Sequence, residues 1–310
     1  MLVFVQSNYA YPDILRQSLG GKGKWGDVQF TFNDVTKCDY VVILNHPIKD
    51  IHLECRKGGN ILLIQEPPYS RNDYLKSYFS YFDKIVCAYD KNSSNKIINT
   101  HAALPWHIHK NYDELKEMQW PHSEKKRMLS WVTSNSNVNP GHEPRLAFMD
   151  FLRKSDVAVD LFGRGIQPIE NKFDGIYPYK YTLAIENYSD DNYWTEKIAD
   201  AFLSYTMPIY YGCKNIETFF PKGSFLKIDI HKPQEAIEII KQAIKDNAWE
   251  KNREAIQQAR ELVLDTYQFF PFVTDLIKKM NCPPQYVHSK ILADPYVPKG
   301  LLGKIKKIFN

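Results

Sequence analysis

Residues 181–212 read YTLAIENYSDDNYWTEKIADAFLSYTMPIYYG. Two near-continuous apolar runs, YTLAIE (181–186) and MPIYYG (207–212), bracket a polar loop and the run TEKIADAFLSYT (195–206). Apolar runs of that length suit strands covered on both faces, and the intervening run suits a helix. Thr195 is a good cap residue, so Glu196 and Lys197 fall in the helix's first turn. Strand, helix and strand in this order make a βαβ unit and predict a parallel sheet.

The same alternation extends in both directions. Downstream, SFLKID (224–229) reads as a strand, PQEAIEIIKQAIKDN (233–247) as a helix with Pro233 near its start, and residues 252–270 as another helix. Ala236, Ile239, Ile240 and Ile244 have core-facing spacing in the first of these. Upstream, MLSWVTS (128–134) and VAVDLFG (157–163) read as strands around the helix EPRLAFMDFLRK (143–154).

The first part of the chain has its own strands at 2–6, 28–32, 40–45, 60–65 and 84–89. Between them DILRQSL (13–19), HLECRKG (52–58) and NDYLKSYFSYF (72–82) can form helices. Residues 110–127 are polar and charged and make the best linker candidate. An α/β chain of two Rossmann-like domains facing a central cleft follows. Residues 1–125 form the first domain, 126–270 the second, and 271–310 a helical, basic tail that could cross back to the first. Ligands of such sheets bind beyond the carboxyl ends of the strands.

Composition narrows the function. The 310 residues carry 40 basic and 36 acidic side chains, a net charge of +4 that argues against a nucleic-acid surface but suits an anionic small molecule. Five cysteines without a CxxC pair suggest neither a zinc site nor a disulfide framework, and point to a reducing, cytoplasmic setting. The N-terminus has no basic lead and does not read as a signal peptide, and no run approaches a membrane-spanning length. The tail GLLGKIKKIFN (300–310) is basic and amphipathic, so it could touch anionic lipid at the inner face of a membrane or simply be solvated.

No GxGxxG, P-loop, HExxH or GxSxG pattern occurs, and no D-x-D triplet offers carboxylates to a metal that would bridge a diphosphate. Phosphates would have to be met by cationic side chains and helix N-termini. Glu196 and Lys197, beside the end of a strand, are placed for that: a carboxylate can accept ribose hydroxyls and a lysine can sit against a phosphate. By themselves the same residues fit a capped helix with a solvated Glu and Lys.

The order of the flanking residues goes further. Residues 181–230 resemble the donor-binding signature of the α1,3-fucosyltransferase family, which runs FxLxFEN, Y-x-TEK, a helix, P-(V/I)-x-x-G and F-x-P-x-x-S-F. The matches are Glu186-Asn187, Tyr193, Thr195-Glu196-Lys197, Pro208 with Gly212, and Phe220-Pro221 with Ser224-Phe225. More weakly, SWVTSNSNVNPGHEPRLAFMDFL (130–152) resembles the family's strand ending in Ser-Asn, here Asn135, followed by a helix whose arginine is Arg145. VDLFGRG (159–165) resembles its strand-to-glycine turn at Gly163. In the first half, Glu66 in NILLIQEPPY stands where bacterial members place a catalytic base. His46 in LNHP is the rival, since His is the commonest general base.

The resemblance implies a GT-B enzyme of bacterial type that moves L-fucose from GDP-fucose to a hydroxyl of a glycan acceptor, O3 of GlcNAc or glucose, with inversion and with no metal needed for the chemistry. Glu66 would be the base. Arg145 and Lys197 would meet the diphosphate, Glu196 the ribose, and Asn187 and Tyr193 the phosphate or the sugar. Glu186 and Thr195 complete the donor site, with Asn135 and Gly163 at its edge. Tyr188, Ile185 and Tyr205-Thr206 depart from the usual Ser, Phe and Ala-Gly, which leaves open another nucleotide sugar, or a catalytically silent nucleotide-sugar or glycan binder. The implied setting is lipopolysaccharide, capsule or protein glycosylation.

Overall fold

The computed structural model describes residues 1–88, 94–121 and 123–293. The basic segment 300–310 and Tyr89, the last residue of an expected strand, lie outside them.

The first sheet has β1 (Leu2–Ser7), β2 (Lys24–Trp25), β3 (Val28–Thr31), β4 (Tyr40–Leu44), β6 (Asn60–Leu63), β7 (Lys84–Cys87) and β8 (Ile97–Asn99), in the order β2-β3-β1-β4-β6-β7-β8. All neighbours are parallel except the β2–β3 hairpin. The order reverses at β1, which lies between β3 and β4. Side chains alternate between two cores, as the pleat requires. Val3, Val5, Val42, Leu44, Ile61 and Leu63 face one, and Phe4, Val41, Ile43, Leu62 and Ile64 the other.

The connections of this half are mostly 3-10 turns, at Ile14–Gln17 and Ser70–Tyr81, where helices were expected. They cover too little of the sheet, and the chain returns to complete it. Helix α7 (Phe269–Met280) lays Phe269, Phe270, Val273 and Ile277 on the first core, and β14 (Tyr286–Ile291) follows. That strand pairs antiparallel with β5 (Ile51–Arg56), in place of the helix expected over 52–58. The reason is visible in the residues: Ile51, Leu53 and Cys55 are buried and His52 and Glu54 exposed, a period of two that helical geometry cannot bury.

The second sheet has β9 (Arg127–Val132), β10 (Asp160–Phe162), β11 (Tyr179–Ile185), β12 (Met207–Tyr211) and β13 (Leu226–Lys227), all parallel, in the order β10-β9-β11-β12-β13. It reverses at β9. Helices α2 (His142–Lys154) and α4 (Pro233–Lys245) cover the face of Leu129, Trp131, Leu183 and Ile185; α3 (Glu196–Leu203) and α6 (Arg253–Leu262) cover the face of Ala184 and Tyr210. The buried stripe of α4 is Ala236, Ile237, Ile240 and Ala243, so Ile239, expected inside, is exposed.

The segment read as a linker is packed. A six-residue helix, α1 (Tyr112–Glu117), opens with a capping box between Asn111 and Glu114 and buries Leu115. Beyond it the Lys125 ammonium is buried and donates to Tyr177 O at 2.6 Å, Tyr179 O at 2.8 Å, Ser204 O at 2.9 Å and Thr206 Oγ1 at 2.7 Å. The segment is therefore anchored by buried Leu115, Trp120 and Lys125, while Lys116, Glu117, Glu124, Lys126 and Arg127 face solvent. It also gives Tyr205-Thr206 a structural use, since Thr206 holds Lys125 and the Tyr205 hydroxyl donates to Met118 O.

Candidate active site

A strand that ends at a switch point delivers its next residue to the mouth of the sheet. In the second half that residue is Glu186, after β11. Its side chain is fully buried, and a carboxylate survives there only with partners. Thr195 N donates to Oε1 at 2.8 Å, the Thr195 hydroxyl lies 2.8 Å from both oxygens, and Lys197 Nζ donates to Oε2 at 3.1 Å. Thr195 also caps α3, as expected, by accepting from Lys197 N. The two ends of the loop 186–197 are thereby bonded to each other.

The ion network continues. Lys197 Nζ is 3.5 Å from Glu196 Oε1, which is 3.8 Å from Lys172 Nζ and 3.9 Å from His107 Nδ1. Lys172 pairs with the buried Asp200 at 2.7 Å, and Asp200 Oδ1 accepts from His107 N at 2.9 Å. Burial alone would raise the Glu196 carboxyl, but Lys197, His107 and Lys172 outweigh it and hold it far below the usual range. Burial lowers the Lys197 ammonium less than Glu186 and Glu196 raise it, so it stays charged. Glu186 is pushed up, first by burial.

Arg145 lies on α2 and is buried. It holds the loop after β9, donating to the Thr133 hydroxyl, to Ser134 O at 2.6 Å and to Ser136 O at 3.0 Å, while its Nε has no partner among the described residues. Asn135, within that loop, donates its N–H to Arg164 O. Gly163 was expected to let backbone approach a ligand. The close approach it permits is to Thr133: a Cβ at Gly163, where φ is +120°, would come within 1.7 Å of Thr133 O.

Asn187 and Tyr193 face the junction of the halves. The Tyr69 hydroxyl donates to Asn187 O at 2.6 Å, and the rings of Tyr69, Tyr188 and Tyr193 meet edge to face in sequence. Gly141, the cap of α2, passes so near that a Cβ would sit 1.5 Å from Asn187 O.

Across the junction, the switch point of the first sheet opens into a cavity of about 150 Å³ lined by Tyr9, Tyr11, Asn45, Glu66, Pro105 and His107, among others. Asn45, at a positive φ of 62°, accepts from Gln65 N and Glu66 N at 2.7 and 3.2 Å and so fixes the turn that presents Glu66. Burial raises the Glu66 carboxyl above its ordinary value, with Arg71 opposing. His46 does not line this cavity; its ring stacks on Tyr78.

Two histidines escape a reading of the sequence. His107 lines the Glu66 cavity and also reaches Glu196, which ties the two walls together. His101 is enclosed by Trp194, Phe219, Tyr267 and Phe272, and burial lowers it to about 3, so it is neutral. Three histidines in an otherwise apolar stretch, HAALPWHIH (101–109), are the available signal.

Among the described residues, no helix is long and apolar enough to cross a membrane.

With this geometry in hand, comparisons with known proteins are specific. Residues 122–252 match the family model described as glycosyltransferase family 10 (fucosyltransferase) C-term. The chain is 33% identical over 123 residues to alpha-(1,3)-fucosyltransferase FucT of Helicobacter pylori, covering 38% of this chain and 24% of the relative. It is 30% identical over 129 residues to 4-galactosyl-N-acetylglucosaminide 3-alpha-L-fucosyltransferase 9 of Mus musculus, covering 40% and 35%. The matches thus span about a quarter to a third of those relatives' length. A solved alpha1,3-fucosyltransferase superposes with a TM-score of 0.56 at 18% identity, over 96% of this chain and 92% of that one. The two facing sheets are the GT-B fold.

Proposed function

We propose, from the match of residues 122–252 to the glycosyltransferase family 10 model, that the protein transfers L-fucose from GDP-fucose to a hydroxyl of a glycan acceptor. The observation that carries the reading is the pairing of walls. A partly desolvated carboxyl, Glu66, lines a cavity whose His107 also touches the Glu196–Lys197 network at the other switch point.

In this mechanism the acceptor hydroxyl oxygen attacks C1 of fucose, and its proton passes to Glu66. The C1–O bond to GDP breaks on the opposite face, which inverts the anomeric centre. A carboxylate with an ordinary pKa of about 4.3 is a weak base, so the raised Glu66 supports its assignment. Charge grows on the departing diphosphate, where fixed cations act most strongly. Lys197 and Arg145 supply it in a nearly dry setting, and Glu196 takes the ribose. Glu186 and Thr195 fix Lys197 and the start of α3, and Asn187 and Tyr193 orient the sugar or phosphate. Asn135 and Gly163 shape the loop that Arg145 holds, and no metal is assigned a step.

The test offers GDP-fucose, GDP-mannose and UDP-sugars with and without a glycan array and measures released nucleotide. Acceptor-dependent GDP release from GDP-fucose is expected. Turnover with a different nucleotide sugar only would replace the donor. Tight GDP binding without turnover on any donor would make the protein a binding module.

A further inference from the structure

A diphosphate brings at least two negative charges, and the lysines nearest the donor switch point are already matched. Lys197 lies between Glu186 and Glu196, and Lys172 between Asp200 and Glu196. Arg145 directs its terminal N–H groups at Thr133, Ser134 and Ser136. More positive charge is needed, and the opposite wall carries it.

Arg71 follows Glu66 by five residues, on the 3-10 stretch Ser70–Tyr81. It is exposed and forms no ion pair among the described residues. Its guanidinium lies 5.7 Å from the centre of the Tyr69 ring. That ring's hydroxyl is the one bonded to Asn187 O, beside Gly141 and the N-terminus of the thirteen-residue helix α2. The first residue of α2, His142, is lowered by burial and then by Arg145, Arg71 and Lys197, so all three cations act on the start of that helix. Arg145, one turn further along α2, is buried and keeps an Nε with no partner among the described residues.

We propose that Arg71 is the cation that the acceptor-side half contributes to the nucleoside diphosphate, contacting its terminal phosphate across the junction. A guanidinium can fork onto two phosphate oxygens, and one held by an aromatic face loses less freedom in doing so. The contact strengthens as the C1–O bond breaks and the terminal phosphate gains charge. It also means the donor is held from both halves, not by the second half alone. This rests on reading the site as one for a nucleoside-diphosphate sugar.

Calorimetric binding of GDP, GMP and guanosine to the whole protein, as wild type, Arg71→Ala and Arg71→Lys, tests it. Arg71→Ala weakens GDP by about tenfold to a hundredfold, the range for one charge-assisted contact, and leaves GMP and guanosine unchanged. Arg71→Lys retains part of the GDP affinity, and both variants melt with the wild type. Unchanged GDP binding by Arg71→Ala, or an equal loss for GDP and guanosine, overturns the inference alone. A wild type that binds no nucleoside diphosphate overturns the site reading and this inference together.

Discussion

The two switch points share one strand order, with the third parallel strand beside the first and the second on its outer side, yet they are finished in opposite ways. The donor-side site is largely saturated from within: Glu186, Thr195, Lys197 and Arg145 each bond to neighbouring protein groups, and only single atoms such as Arg145 Nε are left over among the described residues. The acceptor-side site is hollow, with Glu66 at the edge of a cavity and, among the described residues, no hydrogen-bonded partner for its carboxylate, which feels only the field of Arg71. A saturated polar network fixes geometry at the cost of adaptability. An unmatched, part-buried carboxyl keeps a raised pKa available for proton transfer. Under the proposed function, the contrast suits one wall that holds a nucleotide and another that receives an acceptor hydroxyl.

Removing the reactive group of the hollow wall has the largest expected effect. Glu66→Gln keeps shape and burial but cannot accept a proton, and turnover falls about 10²- to 10⁴-fold with GDP affinity unchanged. Turnover near that of the wild type would remove Glu66 from the mechanism. The pH dependence follows from the sign of the shift. A carboxyl raised by burial must lose its proton to act, so kcat rises with pH through a midpoint above the ordinary carboxylate value and collapses below it. A midpoint at or below about 4.3 contradicts the assignment.

The saturated wall is broken next by Lys197→Met, which leaves Glu186 and Glu196 buried beside each other without their shared cation. A loss of about 3 kcal/mol in urea unfolding is expected, the low end for breaking a buried pair because Lys197 keeps some solvent contact. Adding Glu186→Gln should restore part of it. If Lys197→Met unfolds like the wild type, the network contributes nothing measurable to stability. Glu196, held low in the fold, contributes stability that is present above the unfolded carboxylate range and is lost as pH falls below it.

The seam between the walls is addressed by Gly141→Ala. The backbone there has φ −75°, which alanine adopts freely, so the cost is the collision with Asn187 O, about 1–3 kcal/mol in thermal or chemical unfolding. A neutral result would show that the loop 187–194 shifts at no cost. Tyr69→Phe, the smallest change, removes one bond across the seam and should cost about 1 kcal/mol, read the same way.

The legible parts of the molecule were those with local physics. Strands buried on both faces announced themselves as apolar runs, as in β4 and β11, and Thr195 announced the start of α3. The strand β5 is not legible from the sequence because its apolar-polar alternation is too short to separate it from a helix. The direction of Arg145 was not legible either, since the carbonyls it holds are displayed by loop geometry rather than by residue type.

By itself the sequence determined that two parallel α/β sheets exist, and that the residues from Glu186 to Lys197 converge at the end of one of them. Periodicity, capping and burial act over a few residues, and they suffice for that. Only the tertiary structure decided that α7 and β14 complete the first half, that His107 joins Glu66 to Glu196, and that Lys197 is already matched by two carboxylates. Those outcomes depend on contacts between segments far apart in the chain, such as Tyr69 and Asn187, 118 positions apart. No local pattern encodes which of many chemically suitable partners a buried charge will find.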